Sequence, residues 1–116
     1  MRQLLVFVND QHAGSITEMQ PGRGYVFCYE PDYLRSDGGP VSLTLPKRED
    51  PYRSEHLFPF FTNLLPEGAN RKAVCRHARI DEDDFFGMLM ATVGTDMIGA
   101  VNFRMSDGTT KKIIVK

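Results

Sequence analysis

Within its first 29 residues the chain holds two dense β-favouring runs that are apolar on both faces, and this limits the folds open to it. Leu4-Leu5-Val6-Phe7-Val8 is a continuous apolar run, and Tyr25-Val26-Phe27-Cys28-Tyr29 is rich in aromatics. Such strands need cover on both sides, or a sheet that rolls up on itself as a small barrel does. Between the runs lie the turn formers Asn9 to Gly14, the weaker Ser15-Ile16-Thr17, and the breaker Pro21-Gly22-Arg23-Gly24. The first run and Ser15-Ile16-Thr17 therefore read as a hairpin. Residues 31–40 read as a loop anchored by Tyr33 and Leu34. Val41-Ser42-Leu43-Thr44-Leu45 then alternates apolar and hydroxyl residues between Pro40 and Pro46, which predicts a strand with one face in the core. Residues 47–51 read as a solvated connection.

The period changes in the middle of the chain. Leu57, Phe58, Phe60, Phe61, Leu64 and Leu65 cluster as one or two helical turns would arrange them. Pro66 followed by Glu67 suits a helix start: proline gives up an amide that lacks a partner there, and the carboxylate meets the positive end of the dipole. To Arg79 the spacing predicts a helix with Ala69, Ala73 and Val74 inward and Arg71, Lys72, Arg76 and Arg79 outward. Glu67 and Arg71 stand four apart in the favourable order. Asp81 is placed to cap a further helix with Phe85, Met88, Leu89 and Thr92 as its buried stripe, stopped by Gly94. Ile98 to Met105 reads as strand, Ser106 to Thr109 as a turn, and Lys112 to Val115 as a closing strand. Strands flanking a helical insert make the class α+β.

Length and charge narrow the function. With 116 residues the chain predicts a single domain, 1–116, too small for two lobes around a cleft. Lys plus Arg is 14 against Asp plus Glu 15, so the cation excess that drives phosphate binding is missing, and direct, specific nucleic-acid binding is not expected. No apolar run is long enough to cross a bilayer and no signal peptide is legible. Cys28 and Cys75 belong to no CxxC and read as reduced thiols, so the expectation is a cytoplasmic protein without membrane partners.

Reactive motifs are sparse. Gly22-Arg23-Gly24 is a turn rather than a phosphate loop, because no helix follows it. His12, His56 and His77 lack metal-ligand spacing, and Asp96 alone makes no calcium or magnesium site. No cofactor or metal is expected. The cations Arg71, Lys72, Arg76 and Arg79 are answered by Asp81, Glu82, Asp83 and Asp84. They read as a solvated face, or as a weak patch for phosphate or an acidic partner.

The segment Phe58-Pro59-Phe60-Phe61-Thr62-Asn63-Leu64-Leu65-Pro66-Glu67-Gly68, followed by Arg71, resembles the N-terminal module of HipA-type serine/threonine kinases, the toxins of HipBA toxin–antitoxin systems. Other motifs fall in the same order: Val6-Phe7-Val8-Asn9 with Gly14, then Tyr25, Phe27, Tyr29 and Leu34. Pro40 to Pro46 follows with Tyr52, then Asp84-Phe85-Phe86 with Met88 and Leu89, Gly94-Thr95-Asp96 and Gly99-Ala100-Val101. The resemblance covers about residues 4–103 and leaves the tail 109–116 unmatched.

This resemblance implies a small antiparallel β-barrel or strongly curved sheet of about five to six strands, capped by two to three short helices. In the full-length kinases the ATP loop, catalytic aspartate and metal ligands come from segments this chain does not contain, so the resemblance implies no catalysis. Met1 opens the module and the chain ends about a dozen residues after it. That is similar to the split arrangement in which a HipS-like antitoxin binds and restrains a separately encoded HipA-like kinase, with a HipB-like helix-turn-helix protein as a possible third member. The alternatives are an N-terminal structural fragment of a full-length kinase and an accessory subunit that contacts nucleic acid. For a binding module the candidate contact residues are Phe58, Phe60, Phe61, Leu64 and Leu65, too many for one narrow stripe. They plug the barrel, or some of them face a partner. Asn63 and Glu67 are expected to cap and brace the turn.

Overall fold

The structure is a computed structural model that describes residues 1–65, 67–91, 93 and 101–105. Strand β1 (Arg2–Val8) turns into β2 (Gln11–Gln20) through Asn9 and Asp10 alone. Both turn residues have positive φ, 50° and 65°, the twist that a two-residue hairpin needs and that Asn and Asp tolerate. Gln11 to Gly14, turn formers by composition, are therefore strand. Strand β3 (Arg23–Tyr29) returns through Pro21 and Gly22, where Gly22 supplies a φ of 76°. Gly14 lets β2 and β3 close up, because a Cβ there would lie 2.3 Å from the Cys28 carbonyl oxygen.

The sheet is completed by β4 (Tyr52–Ser54) beside β3 and β5 (Val101–Met105) beside β1. The order is β4-β3-β2-β1-β5, antiparallel throughout, with β4 and β5 as edges among the described residues. The fold is α+β, and among the described residues the sheet is open, which fits the expected curved sheet and not a closed barrel. One face carries Leu4, Val6, Ile16, Tyr25, Phe27, Tyr29 and Phe103 into the core. On the reverse face Leu5, Phe7, Val26 and Cys28 are half-buried. Part of that cover comes from the face itself: Phe7 stacks on His12 at 5.1 Å and lies 4.0 Å beneath the Arg104 guanidinium.

Among the described residues the helical layer holds four short helices: α1 (Pro31–Leu34), α2 (Pro59–Thr62), α3 (Gly68–Ala78) and α4 (Phe85–Ala91). Proline opens both α1 and α2, where its fixed φ favours the first turn. Pro31 thus starts a helix that buries Tyr33, and residues 31–40 are not wholly loop.

The expected strand at Val41–Leu45 is a tight turn. Leu45 N–H returns to the Ser42 carbonyl at 3.0 Å, and Thr44 N–H donates to Ser42 Oγ at 3.2 Å. Serine side chains that bond nearby amides compete with a ladder, and here they win. The fourth strand is instead Tyr52–Ser54, within a stretch with no clear alternation.

Helix α3 also departs from expectation, since Cys75 is its one fully buried residue. Ala69 and Ala73 face solvent and Val74 is 38% exposed. The helix is held at its C-terminal end, where Ile80 N–H bonds the Cys75 carbonyl at 2.8 Å around Arg79 in the left-handed conformation. Helix α4 is capped by Asp84, not Asp81: Asp84 Oδ1 accepts the Gly87 amide at 3.0 Å. Asp81 instead builds the preceding turn, accepting the Asp83 amide at 2.8 Å. Pro66, Thr92, Gly94-Thr95-Asp96, Ile98 to Ala100, the turn at Ser106–Thr109 and the strand at Lys112–Val115 within the tail 109–116 lie outside the described residues.

Candidate partner-binding surface

Strand β3 sets the positions of the layer above it. Its core-facing rings Tyr25, Phe27 and Tyr29 each receive a different part of the chain. Tyr25 lies 6.2 Å from Phe86 of α4, Phe27 lies 5.9 Å from Phe61 of α2, and Tyr29 stacks with Tyr33 of α1 at 6.2 Å and an angle of 4°. Aromatic pairs at these separations add to plain area burial.

Of the candidate contact residues on and around α2, Phe58, Phe61 and Leu65 are buried in the domain's own core. Phe60 and Leu64 pack at its edge and are half-buried. Phe60 meets Phe61 edge-on at 5.2 Å and keeps part of its ring in solvent. Asn63 is the exposed C-terminal cap of α2, and its amide donates to the Pro59 carbonyl at 2.9 Å. Glu67 is exposed at the N-terminal boundary of α3, where its carbonyl accepts the Arg71 amide. Its side chain makes no capping bond, which corrects the expected carboxylate cap. A molecule approaching this segment thus meets Phe60, Leu64, Asn63 and Glu67.

The basic residues lie along α3 and its exit. Lys72, Arg76 and Arg79 are exposed, while Arg71 is half-buried with its guanidinium 5.3 Å over the Phe85 ring. The Cys75 thiol is pushed up from its ordinary range by burial first, then by Glu82. That makes it a packing residue and not an activated nucleophile. Both cysteines are free. Among the described residues no three His, Cys, Asp or Glu side chains converge as metal ligands would.

One polar cluster was not legible as a site. Glu18 is 2% exposed and faces the core from β2. Arg2 Nε donates to its Oε1 at 2.8 Å, Tyr25 Oη to its Oε2 at 2.9 Å, and the Gly22 amide to Oε2 at 3.2 Å. Arg2 continues to Asp84 through a two-pronged contact of 2.8 and 3.2 Å, and its guanidinium lies 5.3 Å from the Phe86 ring centre. The Arg2 bond holds the Asp84 carboxyl below its usual range, and burial with the Glu18 contact pushes the Tyr25 phenol up to about 12. This network ties the start of β1, the end of β2, β3 and the head of α4 together. An available signal was strand parity: Glu18 lies two residues past Ile16, on the inward face, and a carboxylate there requires a cation. Every polar atom of the network is partnered within the domain, so its role is to fasten the helical layer to the sheet.

Comparison with known proteins gives concordant results. A sequence profile described as the HipA N-terminal domain matches residues 4–104. An uncharacterized protein of Haemophilus influenzae is 39% identical over 99 residues, covering 85% of this chain and 88% of that protein. The Putative kinase Y4dM of Sinorhizobium fredii is 33% identical over 81% of this chain, and Putative kinase Y4mE of the same organism is 29% identical over 92%. The matches span only 24% and 25% of those two kinases. A solved N-terminal domain of HipA toxin superposes with a TM-score of 0.67 at 33% identity, covering 91% of this chain and 95% of that one. Among the described residues no helix is long and apolar enough to cross a membrane.

Proposed function

Because the chain belongs to the HipA N-terminal domain family, we propose that it is a non-catalytic binding module that docks on a separately encoded HipA-like kinase core and restrains it. The observation that carries this reading is the pair of contexts in which the module's relatives occur. The match fills 88% of the small Haemophilus influenzae protein but only about a quarter of each Sinorhizobium kinase. A domain fused to a neighbour in one protein and free in another keeps a surface suited to that neighbour, and association rebuilds the intramolecular contact as an interface.

The surface offered here is the outer side of α2 and its exit, where Phe60 and Leu64 supply apolar area and Asn63 and Glu67 a polar rim. Half-buried aromatic residues beside a rigid core are the usual anchors of such contacts. Lys72, Arg76 and Arg79 extend the surface along α3 towards acidic groups on the partner. A second reading, that the module only stabilises the fold of a full-length kinase, draws on the same match to one quarter of the kinases.

The test is co-expression with a HipA-like kinase that lacks its own N-terminal module. Co-purification and relief of growth arrest are expected, both weakened by Phe60→Asp. Recovery of the kinase alone, with toxicity unchanged, overturns the proposal.

A further inference from the structure

The turn between Pro40 and Pro46 is braced well beyond what a solvent loop requires, and its tip holds a leucine in water. A single phenol hydroxyl fixes both ends: the Val41 amide donates to Tyr29 Oη at 2.9 Å, and Tyr29 Oη donates to the Leu45 carbonyl. Val41 and Leu45 are buried. The approach to the turn is held as well. Tyr33 Oη donates to the Gly39 carbonyl at 2.6 Å, and Lys47 Nζ donates to the Ser36 and Gly38 carbonyls at 2.9 and 2.7 Å while lying 4.9 Å from the Tyr33 ring centre. Leu43, between these fixed points, is 94% exposed, which makes it the most exposed large apolar residue among those described.

Turn tips favour Gly, Asn, Asp and Ser, so the fold itself does not call for a leucine here. With Val41 and Leu45, two positions to either side, fixed in the core, the turn holds Leu43 out in solvent. A fixed apolar projection loses little freedom when it enters a socket, which is how pre-organised anchors gain affinity. No charged residue lies within two positions of Leu43, and the hydroxyls of Ser42 and Thr44 flank it 3.0 Å apart. The matching socket is accordingly apolar and uncharged, with a rim that hydrogen-bonds hydroxyls. Tyr29 lies two residues beyond Phe27 on β3, the ring that receives Phe61 of α2. The Tyr29 and Phe27 rings lie 4.9 Å apart, so the turn and α2 stand over neighbouring rings on one face of the sheet.

We propose that Leu43 is an anchor residue that inserts into an apolar pocket on the HipA-like kinase core. The inference rests on the docking reading above but concerns a separate contact. The experiment compares dissociation constants of the wild-type chain, Leu43→Ser and Leu43→Met for the co-purifying kinase, alongside thermal melts of each free chain. Leu43→Ser is expected to bind about ten- to a hundredfold more weakly, the effect of losing one buried leucine side chain, with its melt unchanged. Leu43→Met is expected to stay within about threefold of wild type, because the swap nearly conserves volume. Wild-type affinity in Leu43→Ser, or a loss of affinity accompanied by a lowered melt, overturns the anchor and leaves the docking reading standing. Failure of the wild-type chain to bind overturns both.

Discussion

Replacing Arg2 with methionine tests how the helical layer is fastened to the sheet. Arg2 is the cation that Glu18 meets in the network, and Glu18 is 2% exposed. In Arg2→Met the carboxylate keeps only the Tyr25 hydroxyl and the Gly22 amide. Removing one partner of a buried pair costs about 3–5 kcal/mol, because a charge is left without compensation. The Asp84 half of the contact is partly solvated, with both side chains about a third exposed, so it adds little. The low end of the range, about 3 kcal/mol, is therefore expected, which for a chain of this size lowers the melting temperature by roughly 10 °C. Urea unfolding followed by circular dichroism measures it. The decisive comparison uses Glu18→Gln, which retains shape and removes charge. In that background Arg2→Met should cost only about 1 kcal/mol, giving a coupling of about 2 kcal/mol. Additivity within about 0.5 kcal/mol would show that Glu18 does not depend on Arg2, and the reasoning would fail.

The two adjacent phenylalanines of α2 should separate in the same assay. Phe61→Ala should cost about 3–5 kcal/mol, and the half-buried Phe60→Ala about 1 kcal/mol; equal costs would contradict their placement. Arg79 holds a left-handed conformation at the end of α3 that glycine adopts freely. Arg79→Gly should therefore raise stability by about 0.5–1 kcal/mol, and a loss would contradict that conformation. At alkaline pH the folded chain keeps the Tyr25 proton up to about 12, whereas the unfolded chain releases it near 10. This contribution to stability is complete below about pH 10 and is lost as pH rises to about 12, with a slope of at most about 1.4 kcal/mol per pH unit. Tyr29 and Tyr33, also pushed up by burial, act in the same direction. Melting temperatures across that range should fall less steeply in Tyr25→Phe, and an unchanged slope would contradict this assignment.

How far the sequence could be read depended on how locally each element is determined. β1 and β3 were legible because their residues are β-favouring without interruption, and α2 because its phenylalanines cluster. Val41–Leu45 misled for a definite reason: its alternation is that of a strand, but a hydroxyl from Tyr29, twelve residues earlier, takes the backbone groups that a neighbouring strand would need. β4 has three residues, too few for a pattern to emerge. The alanines of α3 carry so little apolar area that their spacing could not decide which side faces inward. The Arg2–Asp84 contact joins residues 82 apart and leaves no local trace. For the candidate surface, spacing gathered Phe58 to Leu65 into one cluster, whereas the division into core and rim needed the rings of β3 in place.

The most direct measurement is the phosphotransfer rate of a HipA-like kinase lacking its own N-terminal module, titrated with this chain at fixed ATP. Docking with restraint predicts a saturable fall in rate that ends near one chain per kinase. A rate unchanged at several-fold excess, or phosphate transfer by this chain with no kinase present, would contradict it.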